Sequence, residues 1–394
     1  MAPRRPTAAA PELELRVERL AAGGDGVARA ADGRVVFVPF TAPGDRIRAR
    51  VVEDRRRYLR ARVVALLEPG PGRTDPLCAV FGSCGGCHWQ HLDYATQLEA
   101  KGGVLRDAFE RIGHLRIPEP LEIVPSPVPY GYRARARVRV QGGRAGFRRR
   151  RSRALCATAR CAVLAHELDA ALAGLAEHPP ERDGDWELSV GSDGVPVTSP
   201  LPPVSPPPGV ELRVGGDVLR VSAGVFAQAN APLREALAAA VVEAAGRGER
   251  LVELHAGAGF FTLGLARRFR RVVAVESSQA AVADLRANLS RAGIDPVEVL
   301  TGAAEEALTL DPVRDPPPDV VVLDPPRTGL EGDGAAALAR LGARRIVYVS
   351  CDPATLARDA GVCADRGYAL TGLRGFDLFP QTAHLEAVAV LERA

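Results

Sequence analysis

The chain is almost without lysine: of its 51 Lys and Arg residues, only Lys101 is a lysine. So one-sided a choice is what a G+C-rich genome writes, and by itself it carries no functional meaning. Long apolar runs are also missing. None approaches the ~20 residues that cross a bilayer, so no membrane-spanning helix is expected. The start, Met1-Ala2-Pro3-Arg4-Arg5, is charged but has no apolar stretch behind it, which argues against a secretory leader. The seven cysteines are odd in number and partly clustered, which argues against a disulfide framework. These absences predict a soluble, cytoplasmic protein without membrane contact, and nothing marks an obligate protein partner.

What is present is enough for several cores. At 394 residues, a prior of roughly 150 residues per domain predicts two or three. Net charge is only +3, but its distribution is uneven: residues 133–153 hold ten arginines and no acid. Tyr132-Arg133-Ala134-Arg135-Ala136-Arg137-Val138-Arg139-Val140 alternates without a break. As a strand it sets four arginines on one face and Ala/Val on the other. A guanidinium face suits phosphates, which predicts a nucleic-acid partner; a solvated sheet face is the plainer alternative.

Three regions follow from the patterning. Residues 1–10 are Pro/Ala/Arg-rich and expected to be disordered. In 11–68, short apolar alternations broken by Gly23-Gly24-Asp25-Gly26, Asp32-Gly33 and Pro43-Gly44-Asp45 predict about five strands in a small barrel. Region 69–230 opens with cysteines, continues in a helix over 94–112 expected to pack on the C-terminal region, and reads as mostly strands over 121–225, with a proline-rich loop at 200–208. From 231 to 394 helices and strands alternate, predicting an α/β, mostly parallel, doubly wound sheet. Its last two strands, 368–376 and 387–391, have no helix between them and suggest an antiparallel edge.

Leu251-Val252-Glu253-Leu254-His255-Ala256-Gly257-Ala258-Gly259 reads as a strand running into a glycine turn, where backbone can approach a ligand. Glu276 ends the next strand, placed to accept from ribose hydroxyls, and Asp324 ends a later one. His255, Gly257, Gly259, Glu276 and Asp324 therefore form a candidate nucleotide-like pocket. A NAD site is the alternative, though the six-residue glycine pattern is incomplete, and a purely structural turn is another. Ile346-Val347-Tyr348-Val349-Ser350 delivers Cys351 just past an apolar run, where a nucleophile belongs, whereas Cys363 lies among apolar neighbours in a helix and reads as structural. Near the C-terminus Glu386 is a candidate base, with His384 as a possible helper. Cys78-x5-Cys84-x2-Cys87 needs a fourth thiol, Cys161 or Cys156, to hold an iron–sulfur cluster or zinc, and spacing leaves both metals open.

Three stretches carry a resemblance: Asp324-Pro325-Pro326-Arg327-Thr328-Gly329, Val349-Ser350-Cys351-Asp352-Pro353-Ala354-Thr355-Leu356-Ala357-Arg358-Asp359, and Phe379-Pro380-Gln381-Thr382 through Glu386. Through them the chain resembles the RNA uridine-5-methyltransferases over almost its whole length. The resemblance implies a Rossmann-like class I methyltransferase domain with S-adenosyl-L-methionine as cofactor, behind a TRAM-like RNA-binding barrel and a β-rich central domain. It implies Cys351 as nucleophile and Glu386 as base. Phe226-Ala227-Gln228-Ala229-Asn230 matches the family's Phe-x-Gln-x-Asn, implying that Gln228 touches the cofactor and Phe226 lies near the target base. It points to a [4Fe-4S] cluster on Cys78, Cys84, Cys87 and Cys161, in a structural role. The sequence departs from the family at Phe260, where asparagine is usual, at Ala303, where an acid is usual, and at Asp352, where asparagine is usual.

The chemistry explains why a thiol and a carboxylate are wanted. Carbon 5 of uracil is a poor nucleophile until a thiolate adds at C6 and places electron density on it. A base must afterwards remove the C5 proton so that the thiol can leave. The expected function is therefore C5 methylation of a uridine in RNA, ribosomal rather than transfer RNA by analogy, with the base flipped from its stack. A tRNA enzyme and an RNA-binding protein with a degenerate methyltransferase fold are the alternatives. An amino-group methyltransferase is disfavoured, since its aromatic residue after Asp-Pro-Pro is Arg327 here.

Overall fold

The computed structural model describes residues 11–295 and 297–394; the expectation for 1–10 falls outside them. Alternation in the first region does produce a barrel. Strands β1 (Glu12–Leu20), β2 (Gly26–Arg29), β3 (Val35–Val38), β4 (Arg46–Asp54) and β5 (Tyr58–Glu68) close in the order β1-β2-β3-β5-β4. Every second side chain, among them Leu15, Val17, Val36, Val38, Ile47 and Leu59, points into its core. Buried Asp45 accepts from the backbone of Ala42 and Gly70 and pairs with Arg73, which ties the barrel to the chain that leaves it.

Helix α1 (Tyr94–Arg111) starts at Asp93, whose side chain accepts from Thr96 N–H. It packs on a helix of the C-terminal region, as expected. After the short β6 (Glu122–Val124) come β7 (Arg135–Val140), β8 (Ala145–Arg148), β9 (Leu155–Ala157), α2 (His166–Glu177), β10 (Gly184–Val190) and β11 (Pro196–Leu201). Their sheet has the order β11-β10-β7-β8-β9. Residues 121–225 are mostly strands, as expected, and the sequence reading lacked only helix α2, whose Leu168, Leu172 and Leu175 share one face and cover the sheet. Pro196 and Pro200 are tolerated because β11 is an edge strand. The hairpin β12 (Gly209–Val214) and β13 (Asp217–Ser222) packs instead on the following α/β region, whose apolar core thus begins before residue 231.

That region contains α3 (Ala231–Ala245), β14 (Gly248–Leu254), α4 (Thr262–Ala266), β15 (Phe269–Glu276), α5 (Gln279–Arg291), β16 (Val297–Thr301), α6 (Ala304–Ala307), α7 (Asp311–Arg314), β17 (Val320–Leu323), α8 (Gly334–Arg340), β18 (Arg345–Ser350), α9 (Pro353–Ala364), β19 (Tyr368–Phe376) and β20 (Glu386–Arg393). The eight-stranded sheet runs β16-β15-β14-β17-β18-β20-β19-β6. Strand β17 is wholly apolar and buried, and β14 is buried from Arg250 to Leu254, because helices cover both faces. The last two strands are antiparallel to each other, as expected, but they do not form the edge. Strand β20 inserts between β18 and β19, antiparallel to both, and the edge is β6, contributed by the central region and parallel to β19. Chain order reverses between β14 and β17, which opens a crevice at the carboxyl ends of the strands. Among the described residues no helix is long and apolar enough to cross a membrane.

Candidate active site

The crevice is a cavity of about 630 Å³. It is lined by Gln228, His255, Gly257, Glu276, Asp324, Cys351 and Glu386, together with Phe226 and Arg327. Residues far apart in the chain thus meet because β14, β15, β17 and β18 end there and β20 begins there. His255 sits at φ +60, a left-handed conformation rare for a residue with a side chain. That turn follows β14 and aims the imidazole into the cavity, where its buried Nε2 has no partner. Gln228 Oε1 is equally buried and equally unpartnered. Two orphaned polar atoms facing one cavity are what a polar ligand satisfies.

Gly257 lies at φ +58 and nothing occupies the space where its Cβ would be, so the backbone faces the cavity bare. Its N–H donates to Glu276 Oε2 at 2.9 Å, and Ser278 N–H donates to Oε1 at 2.7 Å. Glu276 therefore shapes the turn as well as lining the cavity. Gly259 does not line the cavity. A Cβ there would stand 2.8 Å from Leu285 Cδ1, so this glycine allows α5 to pack against the turn.

Cys351 follows β18, and Asp352 caps α9 by accepting from Ala354 and Thr355 N–H. Either Asp or Asn performs that cap, so the departure at 352 is locally neutral. Burial pushes the Cys351 thiol up to about 11; Glu386 and Asp324 add to the rise and Arg327 opposes it. Glu386 is buried, and burial followed by the charge of Asp324 holds its carboxyl well above the usual range, again opposed by Arg327. Burial raises Asp324 as well. The three groups share the cavity, where a bound cation favours both carboxylates as anions. His384 is not a lining residue. Its ring packs against Phe379 and His88, with centroids 6.1 and 5.9 Å away.

Phe260 and Ala303 contribute nothing polar. Phe260 packs edge-on to Phe261 between two apolar clusters, and Ala303 leads into α6. The sequence did not place the next groups at or beside this cavity. Glu253 is buried with neither carboxyl oxygen paired, and burial pushes it up to about 8. Arg133, Arg135 and Arg137 reach this cavity from β7. Arg135 is held by Glu187 at 2.5 Å and Arg139 by Asp185 at 3.5 Å, so the arginine row is partly neutralised from within. Arg137 is exposed and has no ion pair among the described residues.

Arg133 and Arg137 also line a second cavity, of about 400 Å³, with Cys78, Cys84, Cys87 and Cys161 in its wall. Burial first, and then neighbouring cysteines, push Cys84 up to about 11 and Cys87 up to about 12. Among the described residues no three His, Cys, Asp or Glu side chains converge on a single-ion centre. Cys156 is buried outside this lining, and Cys363 is buried within the apolar core, as expected of it.

The family model described as tRNA (Uracil-5-)-methyltransferase matches residues 211–394, and a TRAM domain model matches residues 11–64. The chain is 34% identical to the 23S rRNA (uracil(1939)-C(5))-methyltransferase RlmD of Alkalilimnicola ehrlichii, covering 97% of this chain and 96% of that one. It is 35% identical to an RNA methyltransferase of Streptomyces coelicolor, covering 97% and 93%. Its fold is similar to the crystal structure of the tRNA (uracil-54, C5)-methyltransferase of Pyrococcus abyssi in complex with S-adenosyl-L-homocysteine, with a TM-score of 0.74 at 24% identity over 96% of this chain and 100% of that one.

Proposed function

The chain belongs to the RNA uracil-5-methyltransferase family, and from that premise we propose that Cys351 and Glu386 carry out the reaction as nucleophile and base. The observation that carries this reading is their presence in one cavity with the glycine turn. Cys351 Sγ adds to C6 of the uracil ring, and the electron density it releases into the ring makes C5 nucleophilic. S-adenosyl-L-methionine, when bound, supplies an electrophilic methyl group. Gln228, His255, Gly257, Glu276 and Asp324 hold it, and the unpartnered Gln228 Oε1 and His255 Nε2 fit a polar ligand there. Glu386 then takes the C5 proton, and the C6–S bond breaks to return the thiolate. Phe226, 70% exposed at the cavity wall, is placed to stack on a flipped base.

Ribosomal RNA is the favoured substrate, because the RlmD relatives match along nearly the full length of the chain. Their printed target is 23S rRNA. The barrel and the unpaired Arg137 supply further sequence-independent contact to RNA. Cys78, Cys84, Cys87 and Cys161 would hold a [4Fe-4S] cluster, which gives the segment a rigid centre. Four thiols in one cavity wall are a donor set that a cluster takes, one thiolate to each iron. Methyl transfer consumes no electrons, so the role is structural.

Mass-spectrometric mapping of 5-methyluridine in RNA incubated with the protein and S-adenosyl-L-methionine tests the reading. The expected result is one new 5-methyluridine in 23S rRNA, absent with Cys351→Ala, while calorimetry still detects cofactor binding to that variant. Unchanged product formation by Cys351→Ala ends the proposal. Absence of binding heat from the native protein does so too, and leaves a degenerate fold.

A further inference from the structure

Glu386 opens β20, but the loop before it, residues 377–385, is fastened mainly from outside the catalytic region. Lys101 Nζ donates to Asp377 Oδ1 at 2.5 Å and to Phe379 O at 3.0 Å. Gln97 Nε2 donates to Gln381 Oε1 at 3.0 Å while Gln381 N–H donates back to Gln97 Oε1 at 2.8 Å. Gln381 is held at φ +67, a conformation that costs a residue with a side chain and persists only where neighbours impose it. His88 and Trp89 N–H, immediately after Cys87, both donate to Gln381 O, at 2.9 and 3.0 Å. Lys101, Gln97, Asp377 and Gln381 are all buried.

Lys101 is the exception in a chain that otherwise uses arginine for every basic side chain. The pocket explains the exception. It offers two oxygen acceptors and the face of Trp89, whose centroid lies 5.7 Å from the ammonium. A guanidinium there would bury five N–H donors in a planar fork with most of them unanswered. The compact ammonium fits where arginine does not.

On the reading of Glu386 as base, we propose that Lys101 and Gln97 are positioning residues for the second half of the reaction. They fix the loop that delivers the carboxylate, and so control removal of the C5 proton rather than transfer of the methyl group. In that step the C5–H bond breaks and its proton passes to Glu386. The released pair forms the C5–C6 double bond, and the C6–S bond breaks, leaving its electrons on Cys351. A displaced carboxylate halts the sequence with methylated RNA still bound to sulfur.

Two variants test this in the full-length protein. Gln97→Leu removes the amide pair and keeps the ion pair; Lys101→Met combined with Asp377→Asn removes both charges, so that no lone charge stays buried. Both are compared with native protein by thermal melting and by calorimetric titration with S-adenosyl-L-methionine. Expected are retained folding and cofactor binding, release of 5-methyluridine slowed roughly 100-fold, and accumulation of a denaturation-resistant protein–RNA adduct carrying labelled methyl. The adduct disappears when Cys351→Ala is added. Folded variants that turn over normally overturn the proposal. Folded variants that lose product without accumulating adduct also overturn it, since they mark a general structural role. Failure of the underlying reading looks different: native protein forms 5-methyluridine and Cys351→Ala does so equally.

Discussion

Ser350 faces Ala387 in the antiparallel ladder between β18 and β20, so Cys351, just past the end of β18, and Glu386, the first residue of β20, both reach the same cavity at that end of the sheet. Two side chains 35 positions apart in sequence are thereby brought to one place by strand register, and the fastened loop that enters β20 fixes where Glu386 begins the strand. A slip of one residue would turn one of them to the other face of the sheet.

Glu386→Gln keeps the shape of the side chain and removes its basicity. The expected outcome is a loss of turnover of about 10²–10⁴-fold with build-up of methylated, Cys351-linked RNA on denaturing gels. Free 5-methyluridine released at the native rate would remove Glu386 from the mechanism.

The rate should rise with pH. Burial pushes Cys351 up to about 11 and holds Glu386 above its usual range, and both work as anions. Raising pH through the neutral and alkaline range increases both active forms, up to about tenfold per unit while the thiol limits. Arg327→Gln removes the charge that favours the thiolate and should shift this limb to higher pH. Single-turnover rates measured from about pH 6 to 9 decide the matter, and a flat profile rejects the assignment.

Glu253 is buried and unpartnered, and its carboxyl is pushed from the ordinary 4.5 up to about 8. The folded state therefore keeps a proton that the unfolded state has released. The stability contributed is fully present below pH 4.5 and is lost as pH rises toward about 8. Glu253→Gln removes this dependence, and the cofactor-free variant should gain about 1–3 kcal/mol near neutral pH. Thermal melting at acid and neutral pH gives the comparison. Equal melting temperatures of variant and native protein at neutral pH contradict it.

Arg137 is exposed and lines both cavities without an ion pair among the described residues. Arg137→Ala should weaken RNA binding similarly across sequences and lower the slope of log affinity against log salt by about one unit. Filter binding at several salt concentrations reads this out, and an unchanged slope removes Arg137 from the RNA interface.

Cys161→Ser, purified without oxygen, should lose most of its bound iron and sulfide, which in the native protein should approach about four of each per chain. Zinc in place of iron in the native protein would reject the cluster.

Much of the site was legible because its chemistry is local. A strand, a glycine turn and an acid on the next strand are read from short windows, as are a cysteine beyond an apolar run and the pattern ending in Glu386. Helix α2 was missed although Leu168, Leu172 and Leu175 share a face, since its surroundings alternate as strands do. Strand β6 has three residues, too few for any period to show, and its pairing with β19 joins positions 252 residues apart. Lys101 read as one cation on a helix; nothing near it in sequence announces Asp377, 276 residues away.

The amino-acid sequence alone determined the barrel and the doubly wound sheet and singled out Cys351 and Glu386 as candidates, because alternation, turn residues and nucleophile chemistry are written within a few residues of one another. Only the tertiary structure decided that Cys351 and Glu386 share one cavity, that β20 lies inside the sheet, that Gly259 serves packing, and that α1 holds the loop before Glu386. The physical reason is that these depend on register and burial between segments far apart in the chain. Such pairings exist only once the cores have closed and water has left them.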